Sequence, residues 1–318
     1  MANRTAVIVP NYNGIRYIGN CLASLREQTA KDFEVFVVDN GSTDGSAELA
    51  AEEFPEVHMI RLGENTGFTG AVNAGLKEAE HFKYVLLLNN DTIAGKHFVE
   101  ALEKAIDSDP RLFSCQASMR QMSDPLLCDD AGDYYTALGW AFARGKGKKA
   151  ERYKKNTPVF FSCAGAAVYR MSVMKELGGL DPQMFAYLED CDLGWRARLK
   201  GYENLYVPSA YVLHAGSGSS GSRYNEFKVK YSSRNSVYII RKNMPLWQRA
   251  VNLPFHLAGF GIKTFFFIRK GFGKIYIKGL LEGMRMKTGP VKAEPGAYLA
   301  AEKWLLKGIL LRIKEGFV

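Results

Sequence analysis

Along the first ninety residues one arrangement recurs: an apolar run, a loop rich in turn-forming residues, then apolar positions at helical spacing. Thr5 to Val9 is a continuous apolar run that predicts a buried strand, and Ile15, Ile18, Leu22 and Leu25 behind it mark one face of a helix. Phe33 to Val38 predicts a second strand. The turn from Asp39 to Asp44 can also cap the following helix, which carries Ala47, Leu49, Ala50 and Phe54. Val57 to Leu62 predicts a third strand, and Phe68, Val72 and Leu76 a helix behind the stretch from Gly63 to Gly70. A fourth strand, Tyr84 to Leu88, stops abruptly at Asn89-Asn90-Asp91, ahead of a helix bearing Val99, Leu102 and Ile106. Alternation of this kind predicts an α/β fold with a mostly parallel sheet covered on both faces.

In such sheets ligands collect beyond the carboxyl ends of the strands. Asn11, Asp39, Asn65 and Asp91 all stand at or just past those ends, so they are expected to converge on one crevice. Residues 120–157 fit neither period. They hold Asp129-Asp130, several aromatics and the basic run Lys146 to Lys155, and read as a flexible surface loop in preference to an insertion near the site. A further strand is expected from Leu205 to Leu213, followed by His214 and the Gly/Ser-rich stretch Ala215 to Ser222. After about residue 226 the pattern turns helical, with Pro245 and Pro254 as expected breaks. His256, Lys263 and Arg269 interrupt its most apolar part, which argues against a membrane-spanning helix. The expected division is residues 1–225 as the α/β domain that carries the crevice and 226–318 as a basic amphipathic helical region.

Charge sharpens that division. The chain carries a formal +9, yet residues 226–318 hold 18 Lys/Arg against 5 Asp/Glu, leaving 24 against 28 for the rest. A basic tail with Leu, Ile and Phe clusters can meet an anionic membrane surface, present a solvated face or bind nucleic acid, and the membrane reading leads. A length of 318 residues with 47% hydrophobic content supports a full core and argues against disorder. The five cysteines stand singly, which suggests neither a zinc knuckle nor a disulfide framework and fits a reducing cytosol. The apolar segment ending at Pro10 is too short for the core of a signal peptide.

Three places carry candidate chemistry. Asn89-Asn90-Asp91 follows an apolar strand, where a carboxylate can ligate a divalent cation bridging two phosphates; the same residues would also serve as a helix cap. Glu189-Asp190-Cys191-Asp192 places three carboxylates in four residues beside bulky apolar side chains. A carboxylate held in a partly desolvated pocket can take a proton from a sugar hydroxyl, whereas an acidic first turn of a helix needs no such role; Asp192 is the candidate for that plainer part. His214 on its own is more often structural, but beside Asp91 a neutral imidazole would complete a mixed oxygen and nitrogen site suited to Mn2+ or Mg2+. The Gly/Ser stretch after it could close over a diphosphate.

With these motifs in order, the chain resembles the family-2 glycosyltransferases of GT-A fold. The resemblance rests on Val7-Ile8-Val9-Pro10-Asn11-Tyr12-Asn13, Val37-Val38-Asp39-Asn40-Gly41-Ser42-Thr43-Asp44-Gly45, Glu64-Asn65-Thr66-Gly67-Phe68, Leu87-Leu88-Asn89-Asn90-Asp91 and Glu189-Asp190-Cys191-Asp192. Their wording is most similar to the bacterial rhamnosyltransferase branch, which uses dTDP-rhamnose to build surface polysaccharides. The resemblance implies that Pro10, Tyr12, Asp39 and Asn65 line the nucleoside pocket, with Gly67 and Asn90 also at the donor, and that Asn89 and Asp91 stand where the family's DxD motif grips metal and diphosphate. It further implies Asp190 as catalytic base and His214 as a metal ligand. Asn89 replaces the first carboxylate of DxD, leaving Asp91 as the one charged ligand there.

The expected reaction is a single in-line displacement with inversion, from dTDP-rhamnose or a UDP-hexose to a hydroxyl of a glycan or lipid-linked acceptor. The expected place is the cytoplasmic face of the cell membrane, held peripherally, with a homodimer as the other use of the tail. A non-catalytic nucleotide-sugar or glycan-binding protein is disfavoured by the full set Asp39, Asp91, Asp190 and His214. A nucleotidyltransferase would need a glycine-rich basic loop near the first strand, and no motif supports nucleic-acid binding.

Overall fold

The structure, a computed structural model, describes residues 4–216, 224–289 and 291–316. In chain order the elements are β1 (Thr5–Asn11), α1 (Ile18–Arg26), β2 (Phe33–Asp39), α2 (Ser46–Glu53), β3 (His58–Arg61), α3 (Gly67–Glu78), β4 (Tyr84–Leu88), β5 (Thr92–Ala94) and α4 (Phe98–Asp107). They continue as β6 (Leu112–Gln121), β7 (Cys128–Asp130), β8 (Asp133–Tyr135), β9 (Ala141–Ala143), β10 (Thr157–Val159), β11 (Ala166–Arg170), α5 (Met171–Leu177), α6 (Glu189–Leu199) and β12 (Glu203–His214). Four helices close the chain: α7 (Glu226–Asn243), α8 (Leu246–Arg269), α9 (Gly273–Arg285) and α10 (Ala297–Glu315).

The main sheet runs β10-β12-β6-β11-β4-β1-β2-β3, with β5 on β12 and β7 on β6. Strands β4, β1, β2 and β3 are parallel, as are β6 and β12, while β11 runs antiparallel between β4 and β6. Alternate residues of each strand serve opposite faces. Val7, Val9, Leu86 and Leu88 enter one core with α1 and α4, and Ala6, Ile8, Val85 and Leu87 enter another with α3 and α5. Full burial of such side chains contributes about 1.5–3 kcal/mol each, so the sheet needs covering on both sides. The register pairs Asn11 with Asp39 across β1 and β2, which brings the two strand-end motifs side by side.

Residues 120–157 are not a flexible loop. The end of β6, the short strands β7, β8 and β9 and the first residue of β10 come from this segment, which buries Tyr134, Tyr135 and Phe142. These side chains join Trp195 of α6, Tyr238 of α7 and Leu305 of α10 in a third core. Three-residue strands are too short to show a period of their own.

The tail also differs from expectation in one respect. Pro245 separates α7 from α8, but α8 runs straight through Pro254 for 24 residues. A proline inside a helix gives up one backbone bond and costs roughly 3 kcal/mol, which packing of the buried face of α8 must offset. That face presents Gln248, Asn252, His256, Gly259 and Phe267, and Trp140 donates its indole N–H to the Gly259 carbonyl at 3.1 Å. By length and composition α8 is the one helix among the described residues that could cross a membrane. Helix α9 lies close along α7: a Cβ at Gly279 would stand 2.0 Å from Ser233 Oγ. The Gly/Ser stretch expected to close over a diphosphate lies, beyond Gly216, outside the described residues.

Candidate active site

The carboxyl ends of β1, β2 and β4 open into a cavity of about 630 Å³, closed on the other sides by the 129–146 segment, residues 161–165, the 185–190 segment and the start of α7. Pro10, Tyr12, Asn65, Gly67, Asn89, Asn90, Asp91, Asp190 and His214 all line it. Asp39 does not line the wall. It lies beneath it, 5% exposed, accepting from Asn11 Nδ2 at 3.1 Å and from the Ser42 amide at 3.2 Å.

The asparagines at the strand ends hold one another. Asn11 accepts from Asn90 Nδ2 at 2.7 Å and donates to Ser46 Oγ at 2.8 Å. Asn40, on the wall beside Asn65, donates to Asn65 Oδ1 and to the Gly67 carbonyl, both at 3.1 Å, and accepts from the Thr66 amide at 2.9 Å. Asn65 Oδ1 also accepts from the Gly67 amide at 2.9 Å, an Asx-type turn that starts α3. Gly67 has φ of +76°, and a Cβ there would stand 2.5 Å from the Phe185 carbonyl oxygen, so this position admits no side chain.

Asp91 and His214 meet where β12 pairs with β5: His214 Nε2 is 3.3 Å from Asp91 Oδ1, and His214 Nδ1 is 2.8 Å from Asp129 Oδ2. Burial alone would push the imidazole down, but the hydrogen bonds to Asp129 and Asp91 outweigh it and raise His214 to about 9. Asp129 is opposed by burial too, yet His214 and Lys146 hold its carboxyl well below the usual range. A carboxylate that fixes one ring nitrogen while the other faces a second carboxylate is the arrangement that orients a metal-ligating histidine. Once the imidazole gives up its proton, the pair Asp91 and His214 fits a hard divalent cation of the Mn2+ or Mg2+ kind. Asp130, Asp133 and Cys163 form another cluster, with ligand atoms within 4.8 Å. Burial raises both of these aspartates, Asp133 most.

Asp190 lies on the wall at the start of α6. Its carboxylate accepts from the Cys191 amide at 2.7 Å and the Ala164 amide at 3.2 Å. Burial raises its pKa from 3.8 to about 6, against the pull of those amides, with the Asp130 charge adding to the rise. Neighbouring Glu189 is pushed up further by burial and by the Asp190 charge, and its Oε2, like Asp133 Oδ2, is buried without a protein partner among the described residues. Asp192 points the other way. Fully buried, it accepts from Arg196 Nε at 2.7 Å, Lys242 Nζ at 2.9 Å and Asn243 Nδ2 at 2.9 Å, tying α6 to the end of α7. The three carboxylates of one motif thus have three different surroundings.

The segment leading into Asp190 is strained. Phe185, Tyr187 and Leu188 have φ of +62°, +69° and +68°, each costing on the order of 1–3 kcal/mol for a non-glycine residue. Wall residues that escape the sequence motifs include Lys146 and Asp129 from the 120–157 segment, and Lys228 and Phe227 from α7. The basic run and the Asp129-Asp130 pair were visible, but nothing local ties them to the strand ends.

A mixed, mostly parallel sheet with a carboxylate and histidine pair at the strand ends, and a raised carboxylate on the same wall, defines a glycosyltransferase of GT-A type. Solved structures agree on the fold: GalNAc-T7 with UDP, GalNAc and Mn2+ superimposes with a TM-score of 0.61 at 14% identity, covering 75% of this chain and 48% of that one. A mannosyltransferase from Pyrobaculum calidifontis with GDP-Man and Mn2+ gives 0.56 at 17%, covering 97% and 84%. Residues 6–178 match the model of Glycosyl transferase family 2, and the chain belongs to that family. Among curated relatives, an N-acetylglucosaminyl-diphospho-decaprenol L-rhamnosyltransferase of Mycobacterium tuberculosis is 26% identical over 273 residues, which cover 78% of this chain and 88% of the relative. A poly-beta-1,6-N-acetyl-D-glucosamine synthase of Staphylococcus aureus is 25% identical over 204 residues, covering 63% and 47%.

Proposed function

We propose that this enzyme transfers L-rhamnose from dTDP-rhamnose, with inversion, to a hydroxyl of a lipid-linked saccharide in the synthesis of a surface polysaccharide. The observation that carries the chemistry is Asp190, a carboxylate raised to about 6 on the wall of the cavity that also holds Asp91 and His214. The donor and acceptor classes rest on the mycobacterial relative, which spans most of both chains.

In this reading Pro10, Tyr12, Asn65 and Gly67 shape the nucleoside end of the cavity, with Asp39 supporting them from below. Asn89 and Asn90 border the diphosphate, toward which Lys146 and Lys228 supply positive charge. Asp91 and His214 hold the divalent cation, which when bound neutralises charge on the leaving nucleoside diphosphate. Asp190 removes the proton from the acceptor hydroxyl as its oxygen attacks the anomeric carbon. The bond from that carbon to the diphosphate oxygen breaks, and the configuration inverts. The oxygens Glu189 Oε2 and Asp133 Oδ2, without partners among the described residues, are suited to receive sugar hydroxyls beside it.

The site of action is the cytoplasmic surface of a membrane. Support comes from α8 and α10, where Leu246, Leu257, Phe265, Leu310 and Ile313 are each more than 60% exposed alongside many cations. Helix α8 keeps its polar face in contact with the protein, which favours lying on the surface over crossing it. Incubating purified protein and Mn2+ with a panel of nucleotide sugars and a lipid-diphosphate saccharide tests the reading. Transfer from dTDP-rhamnose in preference to UDP-hexoses is the expected result, and transfer from UDP-hexoses alone would replace the donor.

A further inference from the structure

The segment that delivers Asp190 to the cavity cannot hold its shape by local preference. Three residues in the run 185–188 take the left-handed region, and none of them is Gly, Asn or Asp. Such a run also turns its carbonyls away from any regular ladder, so those oxygens need partners from elsewhere. One comes from the nucleotide side, where the Thr69 amide donates to the Phe185 carbonyl at 3.1 Å.

The Met184 carbonyl accepts locally from the Ala186 amide at 2.7 Å, and the remaining bonds come from α7. Asn235, 0% exposed, directs its side-chain amide at the carbonyls of Met184, Ala186 and Tyr187, at 2.9, 2.9 and 2.7 Å. Arg234 Nη2 donates to the carbonyls of Gln183 and Met184 at 2.9 and 2.7 Å. Between them these two residues reach four of the five carbonyls from residue 183 to 187, and Thr69 takes the one they miss. Aromatic contacts follow the same path: Phe185 stacks on Tyr231 with centroids 5.1 Å apart, and Tyr187 meets Phe227 edge-on at 5.9 Å. Helix α7 has little freedom to back away, because α9 lies against its far side. There a Cβ on Gly283 would stand 2.2 Å from the Arg234 carbonyl oxygen.

We propose that Arg234 and Asn235 are positioning residues of the transfer reaction, gripping the backbone of residues 183–187 so that the left-handed segment sets Asp190 at the cavity wall. The proposal rests on the reading of Asp190 as base. The family match ends at residue 178, so neither the base nor this grip lies within the matched region. Misplacing a reacting group by about 1 Å lowers turnover by roughly a hundredfold, while a nucleotide bound at the strand ends should hardly notice.

The test is steady-state kinetics on the full-length chain with Mn2+, together with nucleotide affinity and thermal melting, for Asn235→Ala, Asn235→Asp and Arg234→Lys. Asn235→Ala should lower kcat by roughly thirty- to a hundredfold, with donor KM and nucleotide affinity within about threefold of wild type. Asn235→Asp keeps the shape but turns an acceptor toward three acceptors, so it should be as poor as the alanine; a merely space-filling role would leave it active. Arg234→Lys keeps the charge and loses the planar donor geometry, and should lower kcat by about three- to tenfold. A folded Asn235→Ala or Asn235→Asp protein with wild-type kcat overturns the proposal. So does a parallel loss of nucleotide affinity. If the Asn235 variants fail to fold, Arg234→Lys decides, and unchanged kcat there also overturns it. A wild-type chain that binds nucleotide yet transfers from no nucleotide sugar would instead remove the base reading on which this one stands.

Discussion

Replacing Asp190 with asparagine keeps the volume and one acceptor oxygen while removing the charge and the proton-accepting function. The structure sets two magnitudes. As an aspartate raised from 3.8 to about 6, Asp190 is roughly a hundredfold stronger as a base than an ordinary one and still mostly ionised at pH 7. General-base catalysis of this kind contributes about 10²- to 10⁴-fold, so Asp190→Asn should lose at least about a hundredfold in turnover with donor KM nearly unchanged. The second magnitude concerns stability. An acid whose folded pKa lies above its unfolded value favours the fold while protonated, and that favour is lost as pH rises from about 4 through about 6. Above that range the buried charge opposes folding by up to about 3 kcal/mol, less whatever solvent screening relieves. The neutral variant should therefore melt at or above the wild-type temperature at pH 8 despite its lost activity, and the gap should close toward pH 4. Wild-type turnover should fall as pH drops through about 6, with Glu189, Asp130 and Asp133 as the acid groups around it. Rates from a discontinuous assay of released nucleotide and melting curves across pH 4–8 provide both readings. Near-normal turnover in the variant places the base elsewhere, and a lower melting temperature at pH 8 contradicts the burial argument.

Chelation by EDTA should abolish transfer and Mn2+ or Mg2+ restore it, with Asp91→Ala and His214→Ala each raising the metal concentration needed; full activity in EDTA removes the metal from the reading. Asp192→Ala leaves Arg196 without its carboxylate and Lys242 with Asp181 alone, which should cost about 3–5 kcal/mol in denaturant unfolding, and a loss below about 1 kcal/mol would show that the network is not what ties α6 to α7. The protein should sediment with anionic vesicles at low salt and release at high salt, and Leu257→Glu with Phe265→Glu should weaken that binding without lowering the melting temperature. Exposed-face substitutions suit this test because removing α8 to α10 would also strip Tyr276, Ala301 and Leu305 from the packed interior. Indifference to anionic vesicles, with a concentration-dependent dimer, would assign the apolar faces to a second copy of the chain.

Much of the nucleotide end was legible from residue order alone. Apolar runs such as Val7 to Val9 and Tyr84 to Leu88 can only be buried strands, and in a parallel sheet their carboxyl ends must lie together, so Asn11, Asn65 and Asp91 converge without further information. The carboxylate motif was equally visible, because ionisable groups packed among Leu, Cys and Trp announce a special environment. Which carboxylate does what was not. Asp190 and Asp192 differ by two positions and face opposite ways, one toward the cavity and one into the Arg196 and Lys242 network, and only packing against α7 separates them. The 120–157 segment stayed illegible because its strands are too short for a period and its aromatic side chains pack against residues far along the chain. Phe185, Tyr187 and Leu188 carry no propensity for the left-handed region; tertiary bonds from Arg234 and Asn235, some fifty residues on, impose it. Local pattern thus determined the sheet and the identity of the strand-end groups, since both follow from burying apolar period-two runs. The orientation of Asp190, the hold on His214 by Asp129 and the joining of α7 to the cavity wall come from contacts between residues far apart in sequence, and those existed only once the chain had packed.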